Sequence, residues 1–306
     1  MSPRDLKLWE VGLPQATAPG SLMKEGAAML LPQDFFDLQE WSHPGIFIQE
    51  EPVWTALDRL PDYLAAFFEK SWPLSNRTGL INKALVIYED EVREDLEVRS
   101  AGPNQAIQVY RRGKILTGAA VILPGAYLSN DKIIIGSGTI IEPGVFIKGP
   151  AIIGKDTEVR QGAYLRGDCL VGNGCVIGHT TEVKSSIMLD GAKASHFAYV
   201  GDSILGRNVN LGAGTKLANL KMIPRSIAIT ADNKRFKTGR RKLGAILGDG
   251  TETGCNSVTS PGTLLGPHSI VYPGVAVPGG YYPEKTRIMP SQGSLRIQTL
   301  NERGKL

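Results

Sequence analysis

From Ile135 onward an aliphatic side chain stands at every sixth position: Ile135, Ile141, Ile147, Ile153, Val159, Leu165, Val171, Ile177, Val183 and Leu189. A fixed short period of this kind marks a parallel β-helix. Each repeat is one short strand and a turn, and it buries its apolar residue only by stacking on neighbouring coils. A glycine often follows the aliphatic, as in Ile153-Gly154 and Leu211-Gly212, which is the hexapeptide pattern of left-handed β-helices. Three hexapeptides make one triangular coil of about 18 residues. The register skips after Leu189 and resumes at Leu205, Leu211 and Leu217. It returns again at Leu247, Thr253, Thr259, Leu265, Val271 and Val277. The expected fold is all-β: a left-handed parallel β-helix carrying a small α/β N-terminal segment.

The repeat accounts for the 36 glycines, because tight corners need residues that accept positive φ or close backbone approach. Charged residues make up 21% and the net charge is +4, so the chain carries no nucleic-acid signature. Cys169, Cys175 and Cys255 form no CxxC pair. Cys169 and Cys175 are six apart, equivalent positions on successive faces, and read as structural thiols of a reducing compartment. No apolar run approaches the roughly 20 residues of a membrane span, and the opening MSPRDLKLWEVGLPQ is too polar for a secretion signal. The expectation is a cytoplasmic protein without membrane or nucleic-acid partners.

The register is absent before about residue 115, which divides the chain into 1–114, a β-helix over 115–290 and a tail over 291–306. Trp54, Leu57 and Leu60 stand at helical spacing and Tyr63, Leu64, Phe67 and Phe68 follow. Pro61 is expected to split this stretch into two short helices, whose aromatics pack against the β-helix or a partner subunit. Residues 84–88 and 106–110 read as strands leading into the first coil, separated by an acidic, turn-rich segment over 89–104. A second interruption, over 221–244, is strongly basic. Lys221, Arg225, Lys234, Arg235, Lys237, Arg240, Arg241 and Lys242 face one acid, Asp232. A loop thrown out of a β-helix leaves its core undisturbed, and functional residues gather on such loops. It is either a solvated basic hairpin or a polyanion site for a nucleotide-like cofactor, whose phosphates Arg and Lys bind through charge-assisted hydrogen bonds.

Of the four histidines, His43, His179, His196 and His268, His196 lies where the register skips. A broken register implies a bulge or altered corner, one way for a regular scaffold to aim a polar side chain into a cleft. Three blocks surround it. They are Glu182-Val183-Lys184, then Lys193-Ala194-Ser195-His196-Phe197-Ala198-Tyr199-Val200-Gly201-Asp202, then Gly206-Arg207-Asn208-Val209-Asn210-Leu211-Gly212-Ala213-Gly214. Together with Arg166-Gly167 and Ala218-Asn219 they closely resemble the acetyltransferase domain of the bifunctional glucosamine-1-phosphate acetyltransferase / N-acetylglucosamine-1-phosphate uridyltransferase family. The resemblance covers about residues 115–290. The basic insertion ending Gly239-Arg240-Arg241-Lys242 looks most like the version fused to archaeal-type sugar-1-phosphate nucleotidyltransferases.

The resemblance implies an acetyl-CoA-dependent N-acetyltransferase acting on an amino-sugar phosphate, glucosamine 1-phosphate first, in nucleotide-sugar synthesis. His196 matches the general base, a role suited to an imidazole because the sugar ammonium must lose a proton. Glu182 matches a carboxylate near the amine and the base. Arg166 and Lys184, two charges that look buried on an uncharged repeat, match the cations that hold the sugar phosphate. Tyr199 and Asn210 match further substrate contacts. Asn219 and the backbone of Gly212-Ala213-Gly214 match positions near the thioester, where N–H groups stabilise an oxyanion. Lys237, Arg240 and Arg241 are the insertion's candidates for the cofactor phosphates. The family binds acetyl-CoA between neighbouring β-helices of a trimer, so a homotrimer is expected, and no metal.

Three departures accompany it. No G-x-G-T-R…P-K phosphate loop occurs, so uridyl transfer is not inferred. Cys255 and Pro273 stand where the family has a Ser and an Ala contacting CoA. The family's C-terminal Arg has only Arg287 as a counterpart. A second reading is therefore a non-catalytic sugar-phosphate- or nucleotide-sugar-binding regulator that partners a separate nucleotidyltransferase through the N-terminal segment. A third, γ-class carbonic anhydrase, is invited by Leu165-Arg166-Gly167-Asp168. It needs three imidazoles per zinc, and no third histidine closely follows His179 and His196.

Overall fold

The six-residue series becomes three stacks of inward side chains, one on each face of a triangular coil. The computed structural model describes residues 30–69, 72–100, 107–291 and 294–299; the polar opening read as no secretion signal lies outside them. On the first face Ile147, Leu165, Val183, Val200 and Leu217 pair rung upon rung. Ile141, Val159, Ile177, Ala194 and Leu211 do so on the second, and Ile153, Val171, Met188, Leu205 and Leu247 on the third. All of these are buried in one core. The faces are sheets of nine, twelve and eight strands, parallel along the coil, and the chain is a left-handed parallel β-helix.

The skip in register has a different location from the one the sequence suggests. Tyr164 pairs with Glu182, eighteen positions on, but Cys169 pairs with Ser186 and Ile187 with Ile204, each seventeen on. One residue is missing at the corner Lys184-Ser185-Ser186 and one at Gly201-Asp202-Ser203. Met188, not Leu189, therefore takes the inward position. Ser185 and Asp202 turn these short corners at φ +44° and +47°, and the Ser186 and Ser203 hydroxyls donate to the carbonyl oxygens of Lys184 and Gly201 at 2.7 and 2.8 Å. His196 itself ends a regular strand, Lys193–His196, whose rung partner is Val176–His179.

The outward residues of the third face form an apolar ladder, with Ile152, Leu170, Ile187, Ile204, Ile246 and Leu264 all fully buried. What covers them is the chain's own N-terminal segment: Phe35, Ile46, Trp54, Leu57, Leu60 and Leu64 belong to the same cluster. Pro61 does not split the helix. A single helix α1 (Ala56–Ala66) runs through it after a 3-10 turn at Val53–Thr55. Proline removes one hydrogen bond there, whereas Leu57, Leu60 and Leu64 are each seated in the cluster, and packing of an apolar face outweighs local propensity.

The expected turn-rich segment over 89–104 also differs, because it contains strands Glu91–Arg93 and Glu97–Ser100. Leu85–Tyr88 pairs antiparallel with both Glu91–Arg93 and Ala120–Ile122, which closes the first coil. Thr286–Ser291 joins the last coil and turns back on Ser294–Thr299, so a boundary at 290 would cut a strand. Both ends of the solenoid thus carry antiparallel caps that occupy otherwise open edges.

The basic insertion leaves most of its cations exposed but seats one side on the coil. It folds into a hairpin, Ala228–Ala231 against Lys234–Lys237, closed at its neck by a bridge between Leu220 and Lys242. Ile227, Ile229 and Leu243 are fully buried in the cluster over the third face, because Ile227 and Ile229 point to one side of the strand while Ser226, Ala228 and Thr230, small or polar, point to the other. No helix among the described residues is long and apolar enough to cross a membrane.

Candidate active site

The corner between the second and first faces stacks one residue per coil. Rung by rung the pairing registers align Gln161, His179, His196, Ala213, Cys255 and Pro273. A candidate base and three candidate cofactor contacts therefore share one column, spaced at roughly 4.8 Å per rung. His196 and Phe197 are both exposed. The His196 ring tilts against Phe197 at 6.3 Å and makes no hydrogen bond among the described residues, whereas His179 Nδ1 is 2.9 Å from the Gln161 carbonyl oxygen. The N–H groups of Gly212 and Gly214 are spent on the coil ladder, donating to the oxygens of Thr253 and His196 at 2.8 and 2.9 Å. Only the Ala213 N–H of that trio has no acceptor among the described residues.

The first face continues from this corner. Its outward positions alternate in two rows, Tyr164, Glu182, Tyr199 and Lys216 nearer the His196 corner, and Arg166, Lys184, Gly201 and Ala218 farther from it. No hydrogen bond or ion pair joins Glu182 to His196 among the described residues. Its carboxylate accepts from Arg166 Nη1 at 2.5 Å, and the guanidinium is exposed rather than buried as its surroundings suggest. The Glu182 hydrogen bond holds Arg166 above its usual range. Such an exposed pair contributes at most about 1 kcal/mol, so a phosphate can take over the guanidinium at small cost.

The far corner holds a tighter cluster. Lys184 Nζ lies 3.0 Å from Asp202 Oδ2, and Asn219 Nδ2 donates to the same oxygen at 2.6 Å. Asp202 is only 5% exposed, a buried carboxylate that its partners must neutralise. Tyr199 lies across Gly201 toward Asn219. A Cβ on Gly201 would meet Tyr199 Oη at 2.5 Å and Asn219 Nδ2 at 2.9 Å. Burial pushes the Tyr199 hydroxyl above its usual range, with Lys184 opposing it. Sequence reasoning left Asp202 and Gly201 without roles, although both stand inside the block that carries His196 and Tyr199.

Asn210 is not brought to either cluster. It opens the strand Asn210–Leu211 on the second face, facing Lys193 and Glu252, three residues and roughly 10 Å from the His196 column. Lys237 and Arg241 are exposed on the insertion. Arg240 is half-buried and meets Asp58 and Asp202 beside a cleft of about 550 Å3 lined also by Thr238, Gly239, Arg241 and Lys242. Arg287 is paired beside Ile270 on the second face, away from the column. His179 and His196 are stacked rung neighbours, and no group of three metal-binding side chains occurs among the described residues.

Residues 147–252 match the profile of a domain described as the GMPPB C-terminal domain. The bifunctional sugar-1-phosphate nucleotidylyltransferase/acetyltransferase of Sulfurisphaera tokodaii is 43% identical over 101 residues, 33% of this chain and 25% of that protein. The bifunctional protein GlmU of Methanococcus maripaludis is 40% identical over 94 residues, 31% and 23%. The chain thus spans about a quarter of the length of these relatives. Among solved structures, the UDP-N-acetylglucosamine acyltransferase of Francisella novicida aligns at a TM-score of 0.46 with 14% identity, covering 60% of this chain and 66% of that one. The matched stretch holds His196, Glu182, Arg166 and Lys184, and the resemblance carried by the motif blocks stands.

Proposed function

We propose that the protein is an acetyl-CoA-dependent N-acetyltransferase for an amino-sugar phosphate, with glucosamine 1-phosphate as first candidate. The observation that supports this most is the single corner column of His196, Ala213, Cys255 and Pro273 beside a face bearing Glu182, Arg166, Lys184 and Tyr199.

In this reading the sugar amine attacks the thioester carbonyl carbon, and His196 takes the amine proton as the C–N bond forms. The Ala213 N–H faces the oxyanion that develops. The C–S bond then breaks, and the proton on His196 passes to the departing CoA sulfur. Arg166 and Lys184 hold the phosphate, Arg166 exchanging Glu182 for it while Lys184 stays anchored on Asp202. A homotrimer, the expected assembly, would bring Asn210 of a neighbouring copy to the site with acetyl-CoA along the column, and Lys237 and Arg241 are the insertion's candidates for the cofactor phosphates. Sedimentation of the purified protein as a monomer would argue against that assembly.

Purified protein mixed with acetyl-CoA and glucosamine 1-phosphate should release free thiol, followed with a chromogenic disulfide. His196→Ala should lower turnover by roughly 10²–10⁴-fold. No release from a panel of amino-sugar phosphates, or unchanged turnover in the variant, would sink the proposal. The changed column residues Cys255 and Pro273 support the second reading, a non-catalytic binder that partners a separate nucleotidyltransferase. Calorimetric titration separates the two, since that reading requires sugar-phosphate binding without acetyl-CoA binding.

A further inference from the structure

Arg240 spans three separate parts of the chain. Its Nε donates to the Lys242 carbonyl oxygen at 3.0 Å, at the neck of the insertion. Its Nη1 donates to Asp58 of helix α1, and its Nη2 lies 3.8 Å from Asp202 Oδ1. Each guanidinium nitrogen therefore faces an oxygen of the chain itself, and only 14% of the side chain is exposed. Such an arginine is already tied to the chain through Nε and Nη1 and is mostly buried, so it is poorly placed to turn its planar fork toward a cofactor phosphate.

The contacts do not end there. Asp202 presents its other oxygen to Lys184 and Asn219 at 3.0 and 2.6 Å. A continuous polar chain thus runs from Asp58 in the N-terminal cover, through Arg240 and Asp202, to two side chains of the candidate site.

We propose that Arg240 and Asp202 are positioning residues, and that Asp58 acts through them to set Lys184 for the acceptor and to fix Asn219 beside it. This rests on the acetyltransferase reading of the same site. With Asp58 neutralised, the guanidinium turns its whole charge on Asp202, Lys184 loses its fixed partner, and the acceptor must order that side chain on binding.

The test uses the full chain with Asp58→Asn, the conservative Asp58→Glu, and Arg240→Lys, which keeps the charge and loses the fork. In Asp58→Asn and Arg240→Lys the KM for glucosamine 1-phosphate should rise about fivefold, the cost of ordering one long side chain, with kcat within about twofold. Asp58→Glu should restore most of the loss. An unchanged or lowered KM overturns the proposal. A second readout needs no activity: Lys184 labelling by acetic anhydride, followed by peptide mass spectrometry, should run severalfold faster in Asp58→Asn than in the parent. Equal labelling in both overturns the coupling. Faster labelling in a protein that acetylates no amino sugar would uphold the coupling and remove the function proposed above.

Discussion

At Gly201 the absence of one methyl group leaves room for the site. Its φ is ordinary, so space rather than backbone freedom demands glycine: the added Cβ would meet Tyr199 Oη at 2.5 Å. Gly201→Ala should displace Tyr199 and Asn219 together, cutting the proposed acetyl transfer by about tenfold or more while the melting temperature moves by only a few degrees. Steady-state kinetics beside thermal unfolding checks both halves. The cysteines divide just as sharply. Burial pushes the Cys169 and Cys175 thiols up to about 12, whereas Cys255 is exposed in the His196 column. A thiol reagent should label Cys255 alone in the folded protein, and acetyl-CoA should protect it if the cofactor lies along that column. Labelling that acetyl-CoA leaves unaltered would place the cofactor elsewhere. Residue identities of this kind were legible in the sequence blocks, but the pairings were not. Glu182 went to Arg166 and Lys184 to Asp202, because partners one coil apart meet across rungs that sequence distance does not reveal.

The elements show where periodicity is informative and where it fails. Inward positions repeat strictly, since each must bury against the same position one coil away. Corners are free to lose a residue, and two do. The loss displaces every later residue by one position, which makes a regular strand around His196 look like a broken one. The apolar outward row of the third face is the other informative departure, for a solenoid face open to water would alternate apolar and polar residues. Ile187 sits in that row, fully buried beneath the N-terminal cover. Ile187→Ala should destabilise the protein by roughly 2–4 kcal/mol through the cavity it leaves, measured by denaturant titration. Ile187→Asp should separate cover from coil and make the segment around α1 sensitive to limited proteolysis.

For the whole molecule, the cover, the insertion and the coil form one packed body, so a titration in one part bears on the rest. His43 is buried in the cover beside Tyr63, its Nδ1 3.1 Å from the hydroxyl, and burial lowers it to about 4. An unfolded histidine takes up its proton near 6.5. Between these values the unfolded chain binds a proton that the folded chain refuses. Stability is full above about pH 6.5 and falls as the pH drops toward 4, by at most about 3 kcal/mol. Denaturant unfolding of the parent and of His43→Gln over this range should differ in slope; equal slopes would show that His43 does not carry the effect.

The sequence by itself determined the solenoid and marked the candidate residues for its chemistry. A six-residue period admits one way of burying its apolar side chains, and motif blocks preserve residue types at fixed intervals along the strand. Only the tertiary structure decided what covers the third face, where the two residues are lost, and which carboxylate holds which cation. Those outcomes depend on contacts between segments far apart in the chain, as when Asp58 meets Arg240, and no local spacing encodes them.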